Sequence, residues 1–177
     1  KPTLHGEMIW CQGYSEPNAG SDLASLQTKA ELINEEWVIN GQKIWTSTAQ
    51  YAHMMFCLVR TEPDASKHAG ISYLLIPMDT PGIEIRPLVD MTLKAGFNEV
   101  FFTDVKIPET NIVGSRGEGW AVANATLGHE RGSLAPPDAI MSRLNTLIEL
   151  MQQETLDGKP LSDDSIYRDR LMKIQAK

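Results

Sequence analysis

Cysteine is scarce in this chain. Cys11 and Cys57 are the only two among 177 residues. They show no CxxC spacing, so neither a zinc site nor a disulfide framework is indicated, and a reducing interior is the simpler setting. Histidine is scarce too. His5, His53, His68 and His129 lack paired metal-ligand spacing, and no metal site is expected. There is no apolar run of about eighteen residues, which excludes a helical membrane span. The chain begins at Lys1 without Met and without an apolar leader, so no signal peptide is visible and an upstream segment is expected. Basic residues are outnumbered, 16 against 23 acidic, for a net charge of −7. That balance argues against nucleic acid as the main partner. Internal repeats and low-complexity stretches are also missing.

What is present begins with a core: 42% of the residues are hydrophobic, enough to bury one in a single domain or two small ones. From residue 7 to about 107 the pattern is strand and turn. Short apolar runs at Met8–Cys11, Met54–Val59, Ile71–Ile76 and Val100–Phe102 alternate with Gly/Pro turns, as in a sandwich or barrel. Asn40-Gly41, between Trp37-Val38-Ile39 and Lys43-Ile44-Trp45, is expected to close a hairpin, because Asn and Gly tolerate positive φ. Ile83-Glu84-Ile85 alternates, and Pro87 limits its continuation. After a Gly-rich joint at 114–119 the period becomes helical. Trp120, Leu127 and Leu134 recur every seven residues, which predicts one helix face. Pro136-Pro137 ends that helix, and Asp138 is placed to cap the next, with a stripe of Ile140, Leu144, Leu147, Ile148 and Met151. Asp157-Gly158-Lys159-Pro160 breaks it. Ser162-Asp163-Asp164 starts a third helix carrying Tyr167, Leu171 and Ile174. The expected class is α+β: an antiparallel β-sandwich or barrel-like domain over 1–115, then antiparallel helices of a truncated bundle over 116–177.

Two stretches carry chemistry. The first, Gln12-Gly13-Tyr14-Ser15-Glu16-Pro17-Asn18-Ala19-Gly20-Ser21-Asp22, follows a strand and gathers hydroxyls, small residues and loop amides. Such a loop can lie against a flat polar heterocycle and a nearby phosphate, although by itself it is also an ordinary turn. The second is Asn40-Gly41-Gln42-Lys43-Ile44-Trp45-Thr46-Ser47. Trp45 here is either a core residue of a hairpin or an aromatic wall, with the hydroxyls of Thr46 and Ser47 beside it. A third feature is Glu130-Arg131 on the first helix. At about 100° per residue Arg131 falls nearly in line with Trp120 and Leu127, with Glu130 about 80° to the side. The pair borders the inward face, unless it is a solvated Glu–Arg pair.

Tyr14–Asp22 resembles the signature of the acyl-CoA dehydrogenase family, and Gly41–Ser47 resembles that family's second motif at the usual distance. Phe97–Pro108 resembles its last strand, and Asn111–Gly114 with Gly117–Trp120 the lead into its C-terminal helices. The resemblance covers nearly the whole chain. It implies the middle β-domain plus the first helices of the C-terminal domain, with an N-terminal helical domain and later helices absent. It also implies FAD, contacted through Gln12, Gly13, Tyr14, Ser15, Gly20, Ser21, Trp45, Thr46 and Ser47. Ser15 would meet the pyrimidine edge and Ser47 the flavin N5 side, and Ser21 would also border the acyl-CoA. Glu16 and Asp22 are expected to fix the loop.

The implied activity is α,β-dehydrogenation of an acyl-CoA thioester, a fatty-acid and lipid oxidation step. A carboxylate takes the α-proton and the β-hydride goes to flavin N5. One branch of the family has its base at the position of Glu130; others carry it on a later helix, beyond Lys177. Arg131 would hold the pocket or substrate. The implied acceptor is an electron-transfer flavoprotein. The implied assembly is a homo- or hetero-tetramer, or a dimer, in the bacterial cytoplasm or mitochondrial matrix. Residues 1–177 alone are expected to be inactive. Two alternatives stand beside this reading: a flavin oxidase or monooxygenase on the same fold, and a non-catalytic subunit of a heteromer. The chain departs from the family pattern at Glu154 and Asp157, where the family often has Arg and Phe reaching a neighbour's FAD, and at Gly128, where it often has Asp.

Overall fold

The computed structural model describes residues 1–134 and 137–175, with the backbone only for Ser133 and Leu134. Leu134 of the expected helix face, as a side chain, and Pro136 of the expected break therefore lie outside the described residues. Contacts divide the chain into two compact units, Lys1–Thr126 and Leu127–Lys177.

The first unit is built on one seven-stranded sheet. Its strands are β1 (Trp10–Gly13), β2 (Lys29–Ile33), β3 (Glu36–Ser47), β4 (Met54–Arg60), β5 (Ile71–Pro77), β6 (Ile83–Leu88) and β7 (Phe97–Pro108). The order is β1-β4-β2-β3-β7-β6, and β5 pairs with β4. Most pairings are antiparallel, as the turn-rich sequence implies. Two are parallel, however: β1 along the first part of β4, and β2 at its end through Lys29 and Arg60. The sheet is thus mixed. One edge of β4 is shared by two strands that arrive from the same direction.

Strand β4 has the burial expected of a central strand, with Met55, Cys57, Leu58 and Val59 inaccessible. Met55, Cys57 and Val59 pack with Cys11, Ala30, Trp37, Ile39, Leu74, Ile76, Val100, Phe102, Val105 and Ile107 into one core. Strand β6 runs on through Pro87 to Leu88, because Pro87 sits on an edge strand, where a missing N–H costs little.

The expected hairpin at Asn40-Gly41 is not there. The turn lies earlier, at Asn34 (φ 51°) and Glu35 (φ 64°), between β2 and β3. Two successive positive φ values give the primed turn geometry that suits strand twist. Asn40 has a different task. Its Nδ2 donates to Asp104 Oδ1 at 3.0 Å, and Asp104 N donates to its Oδ1 at 2.9 Å. That exchange staples a bulge in β7, where Asp104 has φ 48°. Strand β3 continues past it unbroken.

The Gly-rich joint is held against β5. Gly117 N donates to Ser72 Oγ at 2.9 Å, Arg116 pairs with Glu62, and Arg116 Nη2 donates to Thr61 O at 3.1 Å. Gly119 is pressed so close that a Cβ would overlap the Ser72 carbonyl carbon. Helix α1 (Gly119–Leu134) begins there, with Ala123 buried and Trp120 half-buried beside His68, ring centroids 4.6 Å apart.

In the second unit, α2 (Pro137–Gln153) is followed by a small hairpin, β8 (Thr155–Leu156) and β9 (Lys159–Pro160), and by α3 (Ser165–Gln175). Asp138 falls in the first turn of α2 instead of capping it, because Pro137 is already helical. Asp157 (φ 53°) and Gly158 (φ 79°) form the β8–β9 turn. Asp at 157 therefore suits a left-handed backbone. Helix α3 is capped by Asp164, whose Oδ1 accepts from Ile166 N at 2.8 Å and Tyr167 N at 3.2 Å. Met151 and Leu171 are buried, whereas Ile140, Ile166, Met172 and Ile174 are exposed. No described helix is long and apolar enough to cross a membrane.

Candidate functional site

The two informative stretches meet in space. The loop after β1 lies against the end of β3, and Ile44 N donates to Ser15 O at 2.9 Å. Lys43 Nζ donates to Tyr14 O at 3.1 Å and to Glu16 Oε1 at 2.8 Å. Within the loop, Glu16 and Ala19 exchange two backbone hydrogen bonds of 3.0 Å. Glu16 Oε2 accepts from Gln27 N at 2.6 Å, and Oε1 accepts from Thr28 N at 2.9 Å. Glu16 thus ties the loop to the start of β2, the loop-fixing part expected of it. Burial pushes the Glu16 carboxyl up, but the Lys43 ammonium and the amide donors outweigh that, and its pKa falls below 4.5.

Strand β3 carries a bulge at this point. From Lys43 to Thr46 it advances three residues, while β7 advances two, from Val100 to Asn98. Trp45 sits in the bulge with φ 62° and is 60% exposed. For a bulky residue that conformation costs about 1–2 kcal/mol. Phe97 meets the indole edge-on, centroids 6.0 Å apart. The bulge also settles which hydroxyl faces out. Ser47 is exposed, but Thr46 is buried, and its Oγ1 has no hydrogen-bond partner among the described residues. Asn98 Nδ2 holds the bulge by donating to Thr46 O at 2.9 Å and Gln50 Oε1 at 2.6 Å.

The remaining loop residues fall into two sets. Ser15 and Gln12 are half-buried, and Gly20 and Ser21 are exposed. Tyr14 is buried, edge-on to Phe56 and Tyr73, so its ring belongs to the interior. Gly13 is buried as well. A Cβ there would overlap Met55 Sδ, which makes it a packing position. Asp22 ties the loop to its surroundings: its carbonyl accepts from Ser25 N at 3.0 Å, and its carboxylate takes Lys67 Nζ at 2.6 Å, a donor that lowers its pKa. The surface therefore shows an aromatic wall at Trp45, hydroxyls at Ser15, Ser21 and Ser47, and an open backbone at Gly20. An exposed aromatic face can offer flat contact to a ligand, and exposed hydroxyls can donate or accept hydrogen bonds.

Comparison with known proteins decides the family. The family model "Acyl-CoA dehydrogenase, middle domain" matches residues 11–105, and "Acyl-CoA dehydrogenase, C-terminal domain" matches residues 117–177. The chain belongs to the acyl-CoA dehydrogenase family. It is 50% identical over 165 residues to the acyl-CoA dehydrogenase IpdE1 of Mycobacterium tuberculosis, covering 92% of this chain and 42% of that protein. Among solved structures, the ChsE4-ChsE5 complex of Mycobacterium tuberculosis matches with TM-score 0.81 and 35% identity, over 99% of this chain and 45% of that one. The Tcur3481-Tcur3483 steroid ACAD matches with TM-score 0.80 and 31% identity, over 99% and 45%. This chain therefore spans less than half the length of these relatives.

In this acyl-CoA dehydrogenase chain Glu130 and Arg131 lie in the second unit, on the later part of α1. Both are exposed. These residues by themselves do not form the dry pocket that a base would need. The core thiols are not reactive groups. Burial, with the neighbouring Cys57, pushes Cys11 up to about 12, and burial pushes Cys57 up to about 11. No group of three His, Cys, Asp or Glu among the described residues could hold a metal ion.

Sequence reasoning overlooked Lys43 and Asn98. Strand parity could have found the first: Trp37, Ile39 and Lys43 share the inward face of β3. Parity also places Trp45 inward, and only the bulge turns it out.

Proposed function

We propose that this chain is the flavin-cradling part of an FAD-dependent acyl-CoA dehydrogenase. The observation that carries the reading is Trp45: a large aromatic residue held exposed, in a strained backbone conformation, beside an exposed Ser47. A protein tolerates both costs where the residue has a ligand to meet. The residues present fit the isoalloxazine system. Trp45 supplies the wall, Ser47 a hydroxyl at one edge, and Ser15 and Gln12 polar contacts at the other. Gly20 and Ser21 lie farther along the same loop, with room for a phosphate or for the thioester chain. When bound, FAD supplies the hydride acceptor.

The chain's own residues bind, orient and exclude water. The Lys43 and Ile44 hydrogen bonds hold the loop against the bulge. The buried Tyr14 ring, with Phe56 and Tyr73, backs the loop with a rigid aromatic floor. Glu130 takes the α-proton of the acyl group, and Arg131 holds the substrate side of the pocket once further helices enclose them. Enclosure raises a carboxyl pKa toward neutrality, which suits a base. The acyl-CoA substrate, an electron-transfer flavoprotein as acceptor and a reducing compartment follow from the same reading. So does assembly with a second subunit, for which the ChsE4-ChsE5 complex is the precedent. The flavin oxidase alternative differs only in that the electrons pass to oxygen. The discriminating variant is Glu130→Gln in the flavin-loaded protein. FAD should stay bound while substrate bleaching of the flavin is lost. Near-normal bleaching would move the base elsewhere.

A further inference from the structure

We infer that the buried Lys43–Glu16 ion pair is a positioning device for the flavin, setting the gap between the Ser15 loop and the Trp45 bulge. The inference rests on the FAD reading above. Lys43 is fully buried and Glu16 is 8% exposed. Lys43 is the last residue of β3 in register with β7 before the bulge, through Val100. Its ammonium reaches across to the loop backbone at Tyr14 O, and the next residue, Ile44, donates to Ser15 O. Two adjacent residues of one motif therefore grip two adjacent residues of the other. Glu16 completes the triangle, since its carboxylate takes the Lys43 ammonium and the Gln27 and Thr28 amides at once.

Such a pair is a poor way to gain stability. Removing two charges from water costs about as much as their attraction returns, so an apolar replacement of both partners is commonly neutral. A directional tie is a different matter. A methionine at position 43 would fill the space and bond neither carbonyl nor carboxylate. The loop would then be free to shift relative to Trp45, and a shift of about 1 Å is enough to spoil a positioned contact.

The test is the double variant Lys43→Met/Glu16→Gln in the flavin-binding holoprotein. The two amides use different oxygens of Glu16, so the substituted glutamine keeps an acceptor for only one of them and the turn loses one side-chain hydrogen bond. Three quantities are read: the apoprotein melting temperature, the FAD dissociation constant, and the visible circular dichroism of bound flavin. The expected result is a melt lowered by only about 2–4 °C, the size of one lost hydrogen bond, with an FAD constant weakened about tenfold or more and an altered visible dichroism band. Parent-like affinity and dichroism would overturn the inference. A variant that does not fold would also overturn it, since the pair would then be holding the domain together. A parent that fails to bind FAD would instead overturn the functional reading on which the inference rests.

Discussion

Replacing Trp45 by glycine separates a ligand wall from a core residue. Trp45 is 60% exposed, so about 40% of its surface is covered, with Phe97 edge-on to the indole. On a side chain of about 250 Å² that is about 100 Å², or about 2.5 kcal/mol at about 25 cal/mol per Å². Against this loss, glycine relieves about 1–2 kcal/mol of left-handed strain and adds about 0.5–1 kcal/mol of chain entropy cost. The net destabilisation expected of Trp45→Gly is about 1–2.5 kcal/mol, short of the roughly 3–5 kcal/mol typical of a truncated core aromatic. Loss of stacking on a flat heterocycle is worth about 1–3 kcal/mol, so FAD affinity should fall about 5- to 150-fold. Urea unfolding of the apoprotein and flavin fluorescence titration read the two effects separately. A destabilisation above about 3 kcal/mol, the core-aromatic range, or an FAD affinity within about twofold of the parent, would refute the reasoning.

Further outcomes follow from the same geometry. Glu16 has a lowered pKa, so its contribution to stability is complete above about pH 4.5 and is lost as pH falls through the depressed folded value; urea midpoints between about pH 3 and 6 should show this loss, and Glu16→Gln should flatten it. Cys11 and Cys57, with thiols raised to about 12 and about 11, should resist alkylation in the native protein at about pH 8 and react on unfolding, which mass spectrometry of iodoacetamide-treated protein reads directly. Gly119→Ala places a methyl against the Ser72 carbonyl carbon and 2.6 Å from Tyr73 N, both backbone atoms. It should lower stability by about 1–3 kcal/mol, seen as a lower melting temperature.

The strands and both chemical stretches were legible because they rest on local pattern: apolar runs, Gly/Pro turns and an ordered pair of motifs. The hairpin was misplaced because Asn34-Glu35 and Asn40-Gly41 are both compatible with a turn, and only the tertiary exchange between Asn40 and Asp104 decides between them. Thr46 was read as a surface hydroxyl because a bulge has no clear one-dimensional signature. One extra residue exchanges the faces of Trp45 and Thr46, and what holds that extra residue is Asn98 on another strand. The Lys43–Glu16 pair escaped notice for a related reason. Lysine and glutamate read as solvated unless both partners are known to face inward. The helical positions were legible as stripes, but the exposed Ile140 and Ile174 show that a stripe names a face without naming what covers it.

The central claim is that this chain cradles FAD for dehydrogenation of an acyl-CoA. The measurement that tests it most directly is the visible spectrum of the purified full-length, flavin-loaded protein, titrated anaerobically with straight-chain, branched and ring-bearing acyl-CoAs. The account predicts an FAD spectrum that bleaches with at least one of them and recolours with an electron-transfer flavoprotein. A bound flavin that stays oxidised with every acyl-CoA would contradict it.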